Sequence, residues 1–214
     1  MNKTNFFKGI TASIILLLVI YSVYWLYTSI KFKSNIIQTL SSNNIQSSEV
    51  NISGYPYRLE ANLKNTIVEL NNDAYFKIEI PELKISVSPT SLRKILIQSE
   101  SSLLSYKDLI HSMNINNEQS RMTIIFNEGQ IQNLSIIFEE NNVNYKSLIF
   151  GTIKKTFNNI LIDGKINYNK NILNGNLQVS IYEEDGSKKF TAPINIKNNK
   201  IKLLFFEFDL SNLF

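Results

Sequence analysis

The chain has 214 residues, 43% of them hydrophobic and 19% charged, which fits one domain or two small ones and excludes both a disordered polyampholyte and a multi-span membrane protein. With no cysteine and one histidine, His111, it can build no disulfide framework, thiolate-ligated metal, cysteine nucleophile or histidine-pair catalysis. Setting aside Lys3 and Lys8 leaves 20 bases against 18 acids, arginine stands only at Arg58, Arg93 and Arg121, and no basic run exceeds a Lys-Lys pair, which argues against nucleic acid as a partner.

Residues 9–30 run uncharged as GITASIILLLVIYSVYWLYTSI. As a helix they reach about 33 Å, against a hydrocarbon core of roughly 30 Å. Lys3 and Lys8 flank one end, Lys31 and Lys33 the other. Tyr21, Tyr24, Trp25 and Tyr27 crowd the last third, where amphipathic rings suit the headgroup layer and act as membrane-interface anchors. Two other readings compete: a cleaved signal peptide and a buried core helix. Against the first, bulky aromatics and Lys-Phe-Lys follow the apolar stretch in place of a small-x-small cleavage site. The segment is therefore expected to be an uncleaved signal-anchor. The flanking lysines tie, so the positive-inside count leaves orientation open; the short N-terminal tail favours a cytoplasmic N-terminus and a bacterial inner-membrane protein with its bulk in the periplasm.

After Lys31 the helical pattern continues through Phe32, Ile36, Ile37 and Leu40 until Ser41-Ser42-Asn43-Asn44 stops it. Beyond that, alternation of period two dominates. Tyr57, Leu59, Ala61 and Leu63 share a face, as do Phe76, Ile78 and Ile80; Pro81 is expected to turn the chain before Leu83, Ile85 and Val87. Leu134, Ile136 and Phe138 repeat the pattern, then Leu177, Val179 and Ile181, then Phe190, Ala192, Ile194 and Ile196. Expected turns are Glu128-Gly129, Asn141-Asn142, Asp163-Gly164, Asn174-Gly175, Asp185-Gly186 and Asn198-Asn199, whose residue types supply positive φ. Tyr145, Leu148, Ile149, Thr152, Ile153, Thr156 and Phe157 follow helical spacing, which predicts a helix over residues 144–158 lying on the sheet. Residues 102–113 are ambiguous between helix and strand, and residues 201–210 read as a strand buried on both faces. The fold class is thus mainly β (α+β): a transmembrane helix, then an antiparallel, curved sheet carrying one or two helices. In domain terms, residues 1–33 are tail and anchor, 34–48 a helical extension or linker, and 49–214 the extracytoplasmic β domain.

Three stretches resemble the alphaproteobacterial family known as domain of unknown function 2125. The anchor end Tyr21-Ser-Val-Tyr-Trp-Leu-Tyr27 is similar to that family's Tyr-x-x-Tyr-Trp pattern, and Gly54-Tyr-Pro-Tyr-Arg-Leu59 to its Gly-Phe-Pro-Phe-Arg-Leu core, with tyrosines for both phenylalanines. The segments 160–166, 174–180 and 190–196 resemble its paired glycine-turn strands and closing strand. The resemblance runs end to end, with this chain short around 182–189. It implies an anchored, β-rich envelope protein and no particular chemistry. The layout is also loosely like AsmA-type envelope proteins.

The sharpest local feature is Gly54, Tyr55, Pro56, Tyr57 and Arg58, a bend entering a strand: glycine frees φ where proline fixes it. It is a candidate ligand or partner corner; the plainer reading is a packed bend with an exposed arginine. Glu139-Glu140 and Glu183-Glu184-Asp185 read as solvated loops, and no carboxylate pair, G-x-S-x-G, S-x-x-K, G-x-G-x-x-G or P-loop stands out. No catalytic, cofactor or metal site is expected, and the chain is read as a non-enzyme. Two functions remain in view: handling a lipid or other apolar ligand, or assembly through binding another envelope protein by strand edges or the membrane helix.

Overall fold

The computed structural model describes residues 3–71, 75–89, 91–127, 130–149, 151–169, 172–198, 200–203 and 206–209. The helix α1 (Lys3–Ser42) is uninterrupted, and its part Ile10–Ser42 is long and apolar enough to cross a membrane, its apolar window unburied by the rest of the protein. It ends at the expected Ser-Ser-Asn-Asn: Asn43 Nδ2 donates to Thr39 O at 2.9 Å and Asn44 takes a φ of 53°, so a side-chain amide and a left-handed residue close the last turn.

Among the described residues twelve antiparallel strands follow: β1 (Glu49–Ser53), β2 (Leu59–Asn71), β3 (Tyr75–Ser88), β4 (Ser91–Ser99), β5 (Ser102–Lys107), β6 (His111–Asn127), β7 (Gln130–Ser147), β8 (Gly151–Asn169), β9 (Ile172–Tyr182), β10 (Lys188–Lys197), β11 (Lys200–Leu203) and β12 (Phe206–Asp209). They form one sheet in which sequence neighbours pair throughout, except that β4 and β5 share a single lane between β3 and β6. The two edges are β1 and β12. Among the described residues α1 is the only helix, and it touches the sheet at the β1–β2 edge.

The sheet carries a transverse bend. Asn65, with φ 49°, stands opposite Pro81, which has no N–H to offer the ladder. In the next lane Glu100 and Ser101 separate β4 from β5, and beyond them Glu118 stands opposite Glu140, with φ 51°. Register is the same on both sides of this line, but the buried parity changes. On β2, Leu59, Ala61 and Leu63 are buried before the line and Thr66 after it. On β3 the line divides Phe76, Ile78 and Ile80 from Leu83, Ile85 and Val87. Pro81 therefore shifts the phase of one long strand rather than turning the chain.

One face of the sheet is apolar in rows that cross eight strands. One row runs Ala61, Ile85, Ile97, Met122, Ile136, Ile162, Val179, Ala192, each paired with the next. Its neighbour runs Leu59, Val87, Ile95, Ile124, Leu134, Gly164, Leu177, Ile194. The row ends are buried: Ala61 and Leu59 on one side, and on the other a cluster of Ile166, Leu173, Leu177, Ile194 and Ile196. Between them Ile85, Ile95, Ile97, Met122, Ile124 and Ile136 are only partly buried.

Several sequence expectations need correction. Residues 144–158 are not a helix but the β7–β8 hairpin, with Tyr145 opposite Ile153 and Ser147 opposite Gly151; apolar residues of the two paired strands on either side of the tip Leu148-Ile149 mimic helical spacing. Residues 102–113 form β5 and the start of β6. Asp163-Gly164 and Asn174-Gly175 lie inside β8 and β9. There the strands approach so closely that a Cβ at Gly164 would meet Asn176 O at 2.2 Å, and one at Gly175 would meet Lys165 O at 2.6 Å: these glycines serve contact, not reversal. Asn141-Asn142 is interior to β7. Asp185-Gly186 is a hairpin turn, with Gly186 at φ 79° and its N–H donating to Glu183 O. Glu128, Gly129 and Asn199 lie outside the described residues, as do the side chains of residues 201–210; in backbone, 201–203 belong to β11 and 206–209 form β12, which pairs with it.

Candidate functional site

The bend at residues 54–58 links β1 to β2 and is closed by Arg58 N donating to Gly54 O at 3.0 Å. Gly54 has a φ of 97°, and a Cβ there would meet Arg58 O at 2.7 Å and Arg58 Cγ at 2.9 Å, so both backbone conformation and space demand glycine. The Tyr55–Pro56 peptide is cis. Tyr57, expected on the strand, lies in the turn and is 86% exposed.

This corner is docked on α1. Tyr21 Oη donates to Pro56 O, Trp25 Nε1 to Arg58 O at 3.3 Å, and Ser22 Oγ pairs with Tyr55 Oη at 2.8 Å. The Trp25 and Tyr55 rings meet edge-on with centroids 5.3 Å apart, and the Tyr21 ring lies 6.4 Å from both Tyr24 and Tyr55. Tyr24 Oη donates to Pro89 O at 3.0 Å, which brings the end of β3 to the same level. Two groups singled out separately in the sequence thus form one aromatic joint. Tyr27 stands apart from it, with Lys31 Nζ 4.8 Å from its ring centre. Arg58 Nε pairs at 2.9 Å with Glu60 Oε2, a carboxylate that also takes Lys84 at 3.4 Å.

The second feature is the apolar face. Near the bend its rows turn polar: Ser99 Oγ and Ser120 Oγ are 2.8 Å apart, Ser102 Oγ donates to Asn117 Oδ1, and Asn141 Nδ2 donates to Phe138 O at 2.8 Å. Across the sheet from these rows a groove of about 390 Å³ follows the same line, with Lys64, Glu82, Lys84, Glu100, Arg121 and Glu139 in its lining. Its charges are of both signs and its lining contains no nucleophile–base pair. The sequence signal for this belt is the one-residue break in alternation at Pro81 on β3, a signal that a proline turn would also give.

The chain matches no family model, no curated protein and no solved structure.

The remaining candidates resolve into local roles. His111 belongs to a turn: Asp108 Oδ1 accepts from the N–H groups of Ile110 and His111 at 2.7 and 2.6 Å, Asp108 Oδ2 accepts from Tyr106 Oη at 2.7 Å, and His111 Nδ1 lies 3.3 Å from that oxygen. The Tyr106 hydroxyl, then the two amides, hold the Asp108 carboxyl far below the usual carboxylate range. The His111 ring stacks on Tyr145 at 5.9 Å. Among the described residues no group of His, Asp and Glu could hold a metal ion. Glu139 and Glu140 are within β7 rather than in a loop, and Glu118 beside Glu140 raises the Glu140 pKa through a shared hydrogen bond and like charge. Glu183 accepts from Lys155 at 3.3 Å and from Lys189, and Asp185 Oδ1 accepts from Ser187 N, an exposed hairpin as expected.

Proposed function

We propose that this protein is a non-enzymatic, single-pass envelope protein of a bacterial inner membrane, with its β domain in the periplasm and its apolar sheet face in contact with lipid acyl chains. The observation that carries the reading is the row of aliphatic side chains at Ile85, Ile97, Met122 and Ile136 that are only partly buried, although buried residues stand at both ends of the row. Contiguous apolar rows that keep part of their surface accessible mark an interaction site, and a flexible acyl chain fits a surface that is wide and aliphatic. The long apolar helix and the resemblance in residues 21–27 and 54–59 support the location. Alkaline phosphatase fused after Phe214 tests orientation: high activity is expected, and an inactive fusion refutes a periplasmic domain.

The ligand reading is tested by photocrosslinking in cells. A benzoylphenylalanine at Ile97 or Met122 is expected to acquire lipid adducts, and one at the outward-facing neighbours Gln98 or Thr123 is not. Equal labelling on both faces, or no lipid adduct on the inner one, refutes it.

Assembly with another envelope protein is the second reading, supported by a separate patch. Leu109, Leu148 and Ile149, at 93%, 79% and 70% exposed, occupy two hairpin tips joined by Leu148 N donating to Ile110 O. Protein adducts from a photoprobe at Leu148 would support this reading; their absence counts against it.

A further inference from the structure

We propose that the corner at residues 54–58 is a second membrane contact, seated in the headgroup layer of the bilayer that α1 enters, with Tyr55 and Tyr57 as its interfacial side chains. The proposal rests on reading α1 as a membrane anchor and adds where the β domain meets that membrane.

Helix length forces the contact. A hydrocarbon core of roughly 30 Å takes about 20 helical residues. Counted forward from Lys3 or Lys8, the far boundary falls between Val23 and Thr28. Counted back from Lys31 or Lys33, the near boundary falls between Thr11 and Ser13, and the far one lies beyond Thr28. In every placement Tyr21, Ser22, Tyr24 and Trp25, the residues that hold the corner and the end of β3, lie at or below the boundary region. To hold the corner in bulk water, the bilayer would have to end before Tyr21. Only the charge-free residues 9–20 would then remain, about 18 Å of helix, little more than half of what a span needs.

The chemistry of the corner suits that depth. From Ile52 to Tyr57 it carries no charge. The carbonyls of Pro56, Arg58 and Pro89 accept hydrogen bonds from Tyr21, Trp25 and Tyr24, so backbone groups carried toward the hydrocarbon are partnered by the helix itself. Tyr55 is 50% exposed and Tyr57 86%, and tyrosine is the side chain whose apolar ring and polar tip match the headgroup layer. The first charge, Arg58, is already paired with Glu60.

Because the chain has no cysteine, single labels can be placed without background. The full chain carrying Leu16→Cys or Tyr57→Cys, each labelled with an environment-sensitive fluorophore, is reconstituted into phosphatidylcholine–phosphatidylglycerol vesicles. Nitroxide lipids labelled at the headgroup or deep in the acyl chain, and aqueous iodide, serve as quenchers. The expected result is Leu16 quenched from the acyl chain and Tyr57 quenched several-fold more by headgroup nitroxide than by iodide. Leu16 deep with Tyr57 reached mainly by iodide overturns the contact and leaves the anchor standing; Leu16 reached by iodide overturns the anchor itself. The unmutated chain supplies an independent measurement through Trp25, its single tryptophan: shallow brominated lipids are expected to quench it, and failure to do so while the Leu16 label is deep also overturns the contact.

Discussion

Truncating Leu63 and Ile97 to alanine separates a filled core from an open face. Leu63 is 1% exposed and among the largest fully buried side chains, whereas Ile97 is only partly buried one row away on the same face. Leu63→Ala loses the transfer free energy of its removed carbons and leaves a cavity, about 3 kcal/mol together. Ile97→Ala removes three carbon groups at roughly 0.8 kcal/mol per buried CH₂, about half of it realised because the site is only partly buried, and leaves no enclosed void, giving about 1 kcal/mol. For a chain of this size each kcal/mol moves Tm by about 2–4 °C, so Leu63→Ala should lower it by about 6–12 °C and Ile97→Ala by about 2–4 °C. Thermal unfolding of the full chain in one detergent, followed by circular dichroism of the sheet, measures both. An equal loss for the two variants would mean that the central strands are covered like their flanks, and the open-face argument would fail.

Gly54→Ala forces a Cβ to within 2.7 Å of Arg58 O at a φ of 97°, so the joint should loosen, at a cost of about 1–3 kcal/mol; Trp25 emission should shift to the red, and an unchanged spectrum would count against a glycine-dependent joint. Glu140→Asn removes like charge beside Glu118 and places a residue tolerant of left-handed φ at 51°, so Tm should rise by a few degrees, and a fall would refute the reading of Glu140 as a strained position. Asp108 has a depressed pKa when folded, so it contributes stability above the ordinary aspartate range and loses it only as pH falls through the lower folded value. Amide exchange at Ile110 and His111 should therefore stay slow, after correction for intrinsic pH dependence, from pH 7 to below pH 4, while Asp108→Asn should speed it across that range; a turn that opens near pH 4 in the parent would contradict this.

Period-two alternation made most strands legible, because each presents one apolar and one polar face, and the Ser-Ser-Asn-Asn stop of α1 was equally plain. The misreadings share a physical cause. Glycine and proline mark unusual backbone, but they do not distinguish a reversal from a close approach or a phase shift. Gly164 and Gly175 are small because a neighbouring strand touches them, and Pro81 tolerates its lane because Asn65 opposite is already out of regular β geometry. The hairpin at residues 147–151 looked helical because its apolar tip faces no core. Docking of residues 54–58 on Tyr21 and Trp25 was not legible, since no local pattern reports a contact between residues more than thirty positions apart.

The bend also determines where the chain can change length. Asn65, Pro81, Ser101, Glu118, Glu140 and Asn158 occupy one line across successive lanes, and each is the odd residue that lets inward positions resume on the other side. Deleting any one of them would swap inward and outward residues along the remainder of its strand, setting lysines and glutamates against the aliphatic rows of both neighbours. Lengthening a hairpin at Leu109, Leu148 or Gly186 would leave every row intact. Insertions and deletions are therefore tolerated at the tips of the strands and forbidden along a seam through their middles, although that seam is itself largely exposed.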